Sequence, residues 1–320
     1  MLGYLIKRLI QMVVVLWVVS VLVFLMMSFT GDPTYMMVPL DATEEQIAQA
    51  RRLLGLDQSL LTQYGLFLQN LLQGDFGRSY VFRQPALGLI MERLPATLEI
   101  VFLAMVLALI VAVPLGVYAG ANPNRAGSRM VMAGSLVGIS LPGFWLGMVL
   151  IFVFAVRLQF LPSSGRGETV EVLGLRLSLT WSGFTHLILP AVTLSIGTLA
   201  ILMRIIRAEM MEVMKQDYIK FARAKGVNHQ GVLFKHGLKN ALIPLVTVFG
   251  LMLGDLIAFA TLTETIFAWP GIGKLLVDSI YRGDRPVIVV YLMFVAFLFV
   301  VVNFTVDVLY ALIDPRIKIK

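Results

Sequence analysis

Cysteine is absent from the 320 residues. Disulfides, thiolate metal sites and a cysteine nucleophile are therefore excluded. Histidine is scarce. His186, His229 and His236 are scattered and form no HExxH pair, so no metal site is expected within the chain. Charged residues make up 14% of the chain, against roughly a quarter in soluble domains. The run Gly271-Ile-Gly-Lys274 continues with Leu275 instead of Ser or Thr, and position 268 is Ala268, so it is not a phosphate-binding P-loop. No G-x-S-x-G elbow is present. The sequence offers no catalytic constellation, and the chain is not expected to hydrolyse nucleotide itself.

Apolar residues take the place of charge: 58% of the chain is hydrophobic and mean hydropathy is +0.86. That composition describes an all-α polytopic membrane protein. A net charge of +7 would suggest nucleic acid in a soluble protein. Here it is read for topology, and no nucleic-acid partner is expected. Six segments reach the roughly 20 apolar residues that a bilayer requires: about 9–29, 97–120, 130–156, 187–206, 241–262 and 287–312. The first is too long for a signal h-region of about 7–15 residues and is read as a retained helix. Arg204 cuts the apolar core of the fourth short, but Arg204 and Arg207 can snorkel to the interface. With the N-terminus inside, the inner segments hold 15 Lys and Arg and the outer segments 11. Five of those 11 (Arg51, Arg52, Arg78, Arg83 and Arg93) fall in one long loop, which counts little. The expected topology is N-in, C-in.

The expected organisation is an N-terminal helix (1–29), an outer lobe (30–95), a core (96–313) and a tail (314–320). In the lobe, Thr43-Glu-Glu-Gln46 is a capping box, starting a helix that ends near Gly55. Ser59 suits a second N-cap, ahead of an apolar face that includes Leu60, Tyr64, Phe67 and Leu71. A docking surface and a lid both fit this lobe. A second outer loop, 263–286, has a turn at Trp269-Pro-Gly271 and a short amphipathic helix from Ile272 to Ile280, with Trp269 expected at interface depth. A cavity-lining re-entrant element and a surface turn both fit it. Pro114 and Pro142-Gly143 predict kinks in the second and third spans. The pairs Gly116/Gly120, Gly134/Gly138, Gly143/Gly147 and Gly250/Gly254 predict close helix approach.

The inner loop 208–240 carries six of the inner cations. Within it, Asp217 suits an N-cap and Gly226 a C′ position, bounding a helix of about nine residues. A helix so short is unstable alone in water and needs a host surface. Tyr218, Phe221, Ala222 and Lys225 share a face at i, i+3, i+4, i+7 spacing. Two readings stand: an interfacial helix drawn to anionic lipid, and a plug for a partner's groove, with aromatic anchors and a cationic rim.

The run DYIKFARAKGV…KHGLKNALIPLVT resembles the EAA-type coupling loop of binding-protein-dependent ABC transporter permeases. It includes Ala222-Arg-Ala-Lys-Gly226, His236, Asn240-Ala241 and Pro244. Gly31-Asp-Pro33, Leu54-Gly-Leu-Asp57, Gly74-Asp-Phe-Gly77, His186-Leu-Ile-Leu-Pro190, Thr263-Glu-Thr-Ile-Phe-Ala-Trp-Pro-Gly-Ile-Gly273 and Asp314-Pro-Arg316 are similar to the dipeptide/oligopeptide group, B-type subunit. The resemblance implies a type I importer fold and a half-channel in a bacterial inner membrane. It implies a C-type permease as heterodimer partner, two ATP-binding subunits and a periplasmic or lipid-anchored substrate-binding protein. ATP and Mg would be used by those partners, with no cofactor on this chain. Asp217, Tyr218, Phe221, Ala222, Arg223, Ala224, Lys225 and Gly226 would couple to the ATPase. Peptides would be the cargo, with glutathione, nickel complexes and oligosaccharides as alternatives within the family.

Candidate residues along a substrate path are Asp255 in the fifth span, Asn303 and Asp307 one turn apart in the sixth, and Glu99 at the outer end of the second. Each also has a structural reading. Asp255 could pair with Thr247, Thr261 or a partner, Asp307 with Asn303 or Tyr310, and Glu99 could sit at the interface. A self-sufficient secondary transporter is the competing class. It would need inverted repeats or several membrane carboxylates. No clear repeat is visible, and only Asp255 and Asp307 qualify.

Overall fold

The computed structural model describes residues 2–29, 33–36, 38–39 and 41–313. Gly31 and Asp32 of the Gly-Asp-Pro motif and the 314–320 tail lie outside the described residues. Among the described residues, eleven α-helices run in chain order: α1 (Leu2–Phe29), α2 (Glu44–Leu53), α3 (Leu60–Leu72), α4 (Ala86–Ala121), α5 (Ala126–Ser140), α6 (Gly143–Leu150), α7 (Trp181–Val213), α8 (Asp217–Ala224), α9 (Lys239–Ile266), α10 (Ile272–Arg282) and α11 (Arg285–Ile313). Wider π-helical turns extend α6 through Ile151–Arg157 and lead into α9 at Gly231–Leu238. Five of these helices in the described residues are long and apolar enough to cross a membrane: α1, α4, α7, α9 and α11. The pair α5 and α6, with its π turn, makes a sixth span that is broken and bent by 101°. Pro142 therefore does more than kink. It has no N–H to donate and disfavours helix at Leu141, which is extended (ψ 127).

Two compact units divide the chain. The first comprises Met1–Leu94 and Lys274–Val301. Here the capping box forms as expected: Gln46 N–H donates to Thr43 Oγ1, and the Gln46 side chain accepts from Thr43 N–H at 3.0 Å. Gly55 follows α2 with φ +66. Ser59 caps α3. Tyr64 of α3 hydrogen-bonds Ser20 of α1 at 2.9 Å, and Phe24, Tyr64 and Phe67 pack as a trio of mutually tilted rings. Asp284 is fully buried. Its carboxylate accepts from the Ser79 hydroxyl and from the backbone N–H of Tyr80 at 3.0 Å, tying the Ser79–Phe82 turn to the start of α11. Burial raises the Tyr80 phenol above its ordinary pKa.

The second unit comprises Pro95–Gly273 and Val302–Lys320. In it α7 packs against α5, α6 and α9. The sequence places the fourth span at 187–206, but α7 is longer at both ends. Thr180 caps it by accepting from Gly183 N–H at 2.9 Å. The buried stripe Met203, Ile206, Met210 and Val213 carries it past Arg204 and Arg207. The stripe meets glycines: a Cβ on Gly116 would lie 2.8 Å from Ile206 Cβ, and one on Gly120 2.6 Å from Met210 Cβ. Those two glycines therefore serve close approach within one chain. Among the described residues, one short antiparallel hairpin, Val170–Val172 with Leu175–Leu177, interrupts the all-helical fold. The alternation V-E-V-L-G-L-R-L is its signal. Val170 pairs with Leu177 and Val172 with Leu175 on one face, and Glu171 with Arg176 on the other.

Candidate functional site

Helix α8 begins one residue earlier than the cap assignment expects. Gln216 is the extended N-cap (φ −67, ψ 150), makes no side-chain cap bond, and Asp217 is the first helical residue. The Asp217 carboxylate accepts from Lys220 Nζ at 2.7 Å. That hydrogen bond and the lysine's charge hold its pKa below the usual carboxylate value. The far end closes as a Schellman motif: Val227 N–H donates to Ala222 O at 3.2 Å and Gly226 N–H to Arg223 O at 3.0 Å. Gly226 supplies the left-handed φ of +77 that this cap requires.

The host surface for α8 is the chain itself. Ile219 is fully buried and Ala222 is 7% exposed. Tyr218 OH accepts from Asn240 Nδ2 at 3.0 Å, tying α8 to the start of α9. Ala222 therefore faces inward and is not available to a partner, contrary to the face drawn from Tyr218, Phe221, Ala222 and Lys225. Ile219, the anchor, lay outside that face. A sequence reading that ranked burial by apolarity instead of aromatic content would have found it. The outward surface consists of Phe221 (61% exposed), Arg223, Ala224, Lys225 and Gly226. Lys225 Nζ sits 4.6 Å from the Phe221 ring centroid.

A second constellation gathers at the outer end of the second unit. Glu264 is fully buried. Thr97 Oγ1 donates to Glu264 Oε1 at 2.5 Å and accepts from Ile272 N–H at 2.9 Å. The Trp269 backbone N–H donates to Glu264 O, and its indole Nε1 to Ala96 O, both at 2.8 Å. Trp269 is fully buried in a core with Ala96, Ile100 and Leu187. Its indole N–H finds a carbonyl partner inside the protein, so the ring packs in the interior and not on a surface turn. The Thr263–Gly273 run thus anchors a turn in the protein interior. The sequence reading did not single out Glu264 within it.

Glu99 is held in a polar cluster with Arg166 and Ser178. Its carboxylate forms an ion pair with Arg166 at 3.0 Å and accepts from Ser178 N–H at 2.7 Å and Ser178 Oγ at 2.9 Å. Arg166 also donates to Arg176 O in the hairpin. Both charged side chains are largely buried, so removing one strands the other. Arg166→Ala is expected to free the hairpin, with cleavage at 170–177 in limited proteolysis accelerated at least several-fold. Arg157→Ala, whose guanidinium only overlies Phe152, should leave the rate unchanged.

Asp255 is exposed on α9 and has no hydrogen-bond or ion-pair partner among the described residues. A buried pair with Thr261 is thereby excluded. On α11, Asn303 and Asp307 stand one turn apart, and Asn303 Oδ1 is buried without a hydrogen-bond partner among the described residues. Among the described residues, no hydrogen bond or ion pair joins Glu99, Asp255 and Asn303.

Comparison with known proteins bears on these elements. Residues 112–319 match the family described as binding-protein-dependent transport system inner membrane component, and residues 1–101 its N-terminal counterpart. The chain belongs to the binding-protein-dependent ABC transporter permeases. Over 321 residues it is 41% identical to the glutathione transport system permease protein GsiC of Escherichia coli (strain K12), covering 100% of both chains. It is 39% identical over 320 residues to the oligopeptide transport system permease protein AppB of Bacillus subtilis (strain 168), covering 99% of this chain and 100% of the relative. The fold is shared with the inward-facing MetNI methionine ABC transporter at a TM-score of 0.58, with 19% identity over 72% of this chain and 98% of that one. The permease is thus a multi-pass inner-membrane subunit of an ABC importer and not the ATPase itself. Membership implies ATPase and binding-protein partners in general.

Proposed function

We propose that this permease forms half of a translocation path for short peptides and couples it to an ATP-binding subunit through α8. The full-length similarity to both a glutathione and an oligopeptide permease carries the substrate class. Glutathione is itself a tripeptide, so one cargo chemistry accounts for both names. A second permease of C type would complete the path, with two ATP-binding subunits inside and a binding protein outside. Coupling is supported by the form of α8: closed by a Schellman cap, packed onto its own chain through Ile219 and Ala222, and outwardly aromatic and cationic. Domain closure in an ATPase cleft would then move α8 and α9 together through the Tyr218–Asn240 bond.

Asp255 has a place in this reading. An exposed carboxylate on a membrane span must meet water or a partner's polar group in the assembly. It would attract the amino terminus of a peptide along the path. Reconstitution into liposomes tests the whole scheme. ATP-dependent uptake of labelled dipeptide or glutathione is expected only with the ATP-binding subunits and a cognate binding protein present. Asp255→Asn is expected to lower that uptake about tenfold, equivalent to about 1.4 kcal/mol, while N-acetylated peptide is unaffected. Uptake by the chain alone would instead establish a secondary transporter. Uptake of nickel complexes or oligosaccharides in preference to peptides would displace the substrate class.

A further inference from the structure

At the inner end of α7 lies a cavity of about 460 Å³ lined by Met132, Ile201, Arg204, Ile205, Arg207 and Ala208. Arg204 and Arg207 are three residues apart and reach it from neighbouring positions on the helix. Neither guanidinium has a hydrogen-bond or ion-pair partner among the described residues, and Arg207 Nε is buried without one. A buried donor on a permanent cation is costly to leave unmet. Arg207 Nε is thus a buried cationic donor with the exposed Arg204 guanidinium beside it, a pair suited to an anion with several acceptor oxygens.

We propose that this cavity binds the phosphate-bearing headgroup of an anionic phospholipid from the inner leaflet. Phosphate oxygens match the planar guanidinium fork and satisfy Arg207 Nε together with Arg204. The walls favour lipid over a free ion, since the other four lining residues are apolar. Leu136, one turn from Met132 on α5, is 60% exposed, and Ile201 on α7 is 41% exposed. They continue the cavity as an apolar track along two membrane helices, where acyl chains can lie. The charge pattern puts this end of α7 on the cytoplasmic side, where basic cavities between spans meet anionic headgroups.

The test uses the full transporter complex, purified and examined by native mass spectrometry after exchange into phosphatidylcholine nanodiscs containing phosphatidylglycerol. The wild type is expected to retain phosphatidylglycerol. Arg204→Gln with Arg207→Gln is expected to lower retention at least tenfold, whereas Arg125→Gln with Arg129→Gln, at inner cations outside the cavity, leaves it unchanged. A photoreactive phosphatidylglycerol on the unaltered complex should label α5 and α7 near Met132 and Ile201, which tests the site even if the double variant folds poorly. Equal retention by the two double variants, or labelling confined to other helices, would overturn the proposal. Displacement of the lipid by millimolar inorganic phosphate would assign the site to a free anion. Loss of a partner subunit with lipid retention intact would assign it to a partner's carboxylate. Either result also overturns it.

Discussion

Ala224→Asp is expected to reduce ATP-driven uptake by roughly 30- to 1,000-fold while the permease still folds. The magnitude follows from placing an unpaired charge at the centre of a packed interface, where one hot-spot position is worth about 2–4 kcal/mol. Ala224 is exposed on α8 and small enough to let another backbone approach. An aspartate there must be desolvated when the ATP-binding subunit docks. Phe221→Asp should act similarly by deleting the exposed aromatic anchor. Two readouts separate uncoupling from unfolding: co-purification of the ATP-binding subunits should fail, and thermal unfolding of the detergent-solubilised permease should stay near wild type. Ala222→Asp cannot make that distinction, because Ala222 packs inside the chain and its loss disturbs the permease itself. If Ala224→Asp and Phe221→Asp both assembled and transported normally, α8 would not be the coupling element.

Glu264→Ala should produce the largest loss of stability. The Thr97 hydroxyl has one proton, which it gives to Glu264 while receiving the Ile272 N–H. Removing the carboxylate strands that proton in a buried position, at about 1–3 kcal/mol. The emptied volume adds a cavity term of its own. Glu264→Gln keeps an acceptor oxygen and should lose less. Gly271→Ala approaches the same defect from the other side, because its Cβ would lie 2.2 Å from Glu264 Oε1. The expected order of midpoints in thermal unfolding is wild type, then Glu264→Gln, then Glu264→Ala. A Glu264→Ala midpoint equal to wild type would remove the anchoring role.

Local features were readable along the chain, and long-range ones were not. Thr43 with Gln46, Ser59, Gly55 and Gly226 sit where turn and cap chemistry puts them, since each depends on neighbours three or four residues away. The spans follow from hydropathy, but their ends do not. Thr180 and the stripe from Met203 to Val213 extend α7 beyond its apolar centre. Asp217 was displaced by one position because Gln216 turns before it. Glu264, Thr97 and Trp269 form one anchor across more than 160 residues of sequence. No period or cap joins them. Glu99 looked like a free interfacial acid because its partner Arg166 lies 67 residues away. The hairpin at 170–177 was the reverse case, with an alternation short enough to be read but set among segments judged by hydropathy alone.

The closed form of α8 has a thermodynamic consequence. A segment that folds only on binding loses conformational freedom at that moment, and its association carries a large unfavourable entropy and a correspondingly large heat-capacity change. Helix α8 is already held by Ile219, Ala222, the Tyr218–Asn240 bond and its C-terminal cap. Its association with another surface starts from a formed helix, so the ordering entropy has been met during folding of the chain. Docking is then close to rigid-body association. Whatever free energy the contact yields goes into the strength of the joint instead of into building the helix.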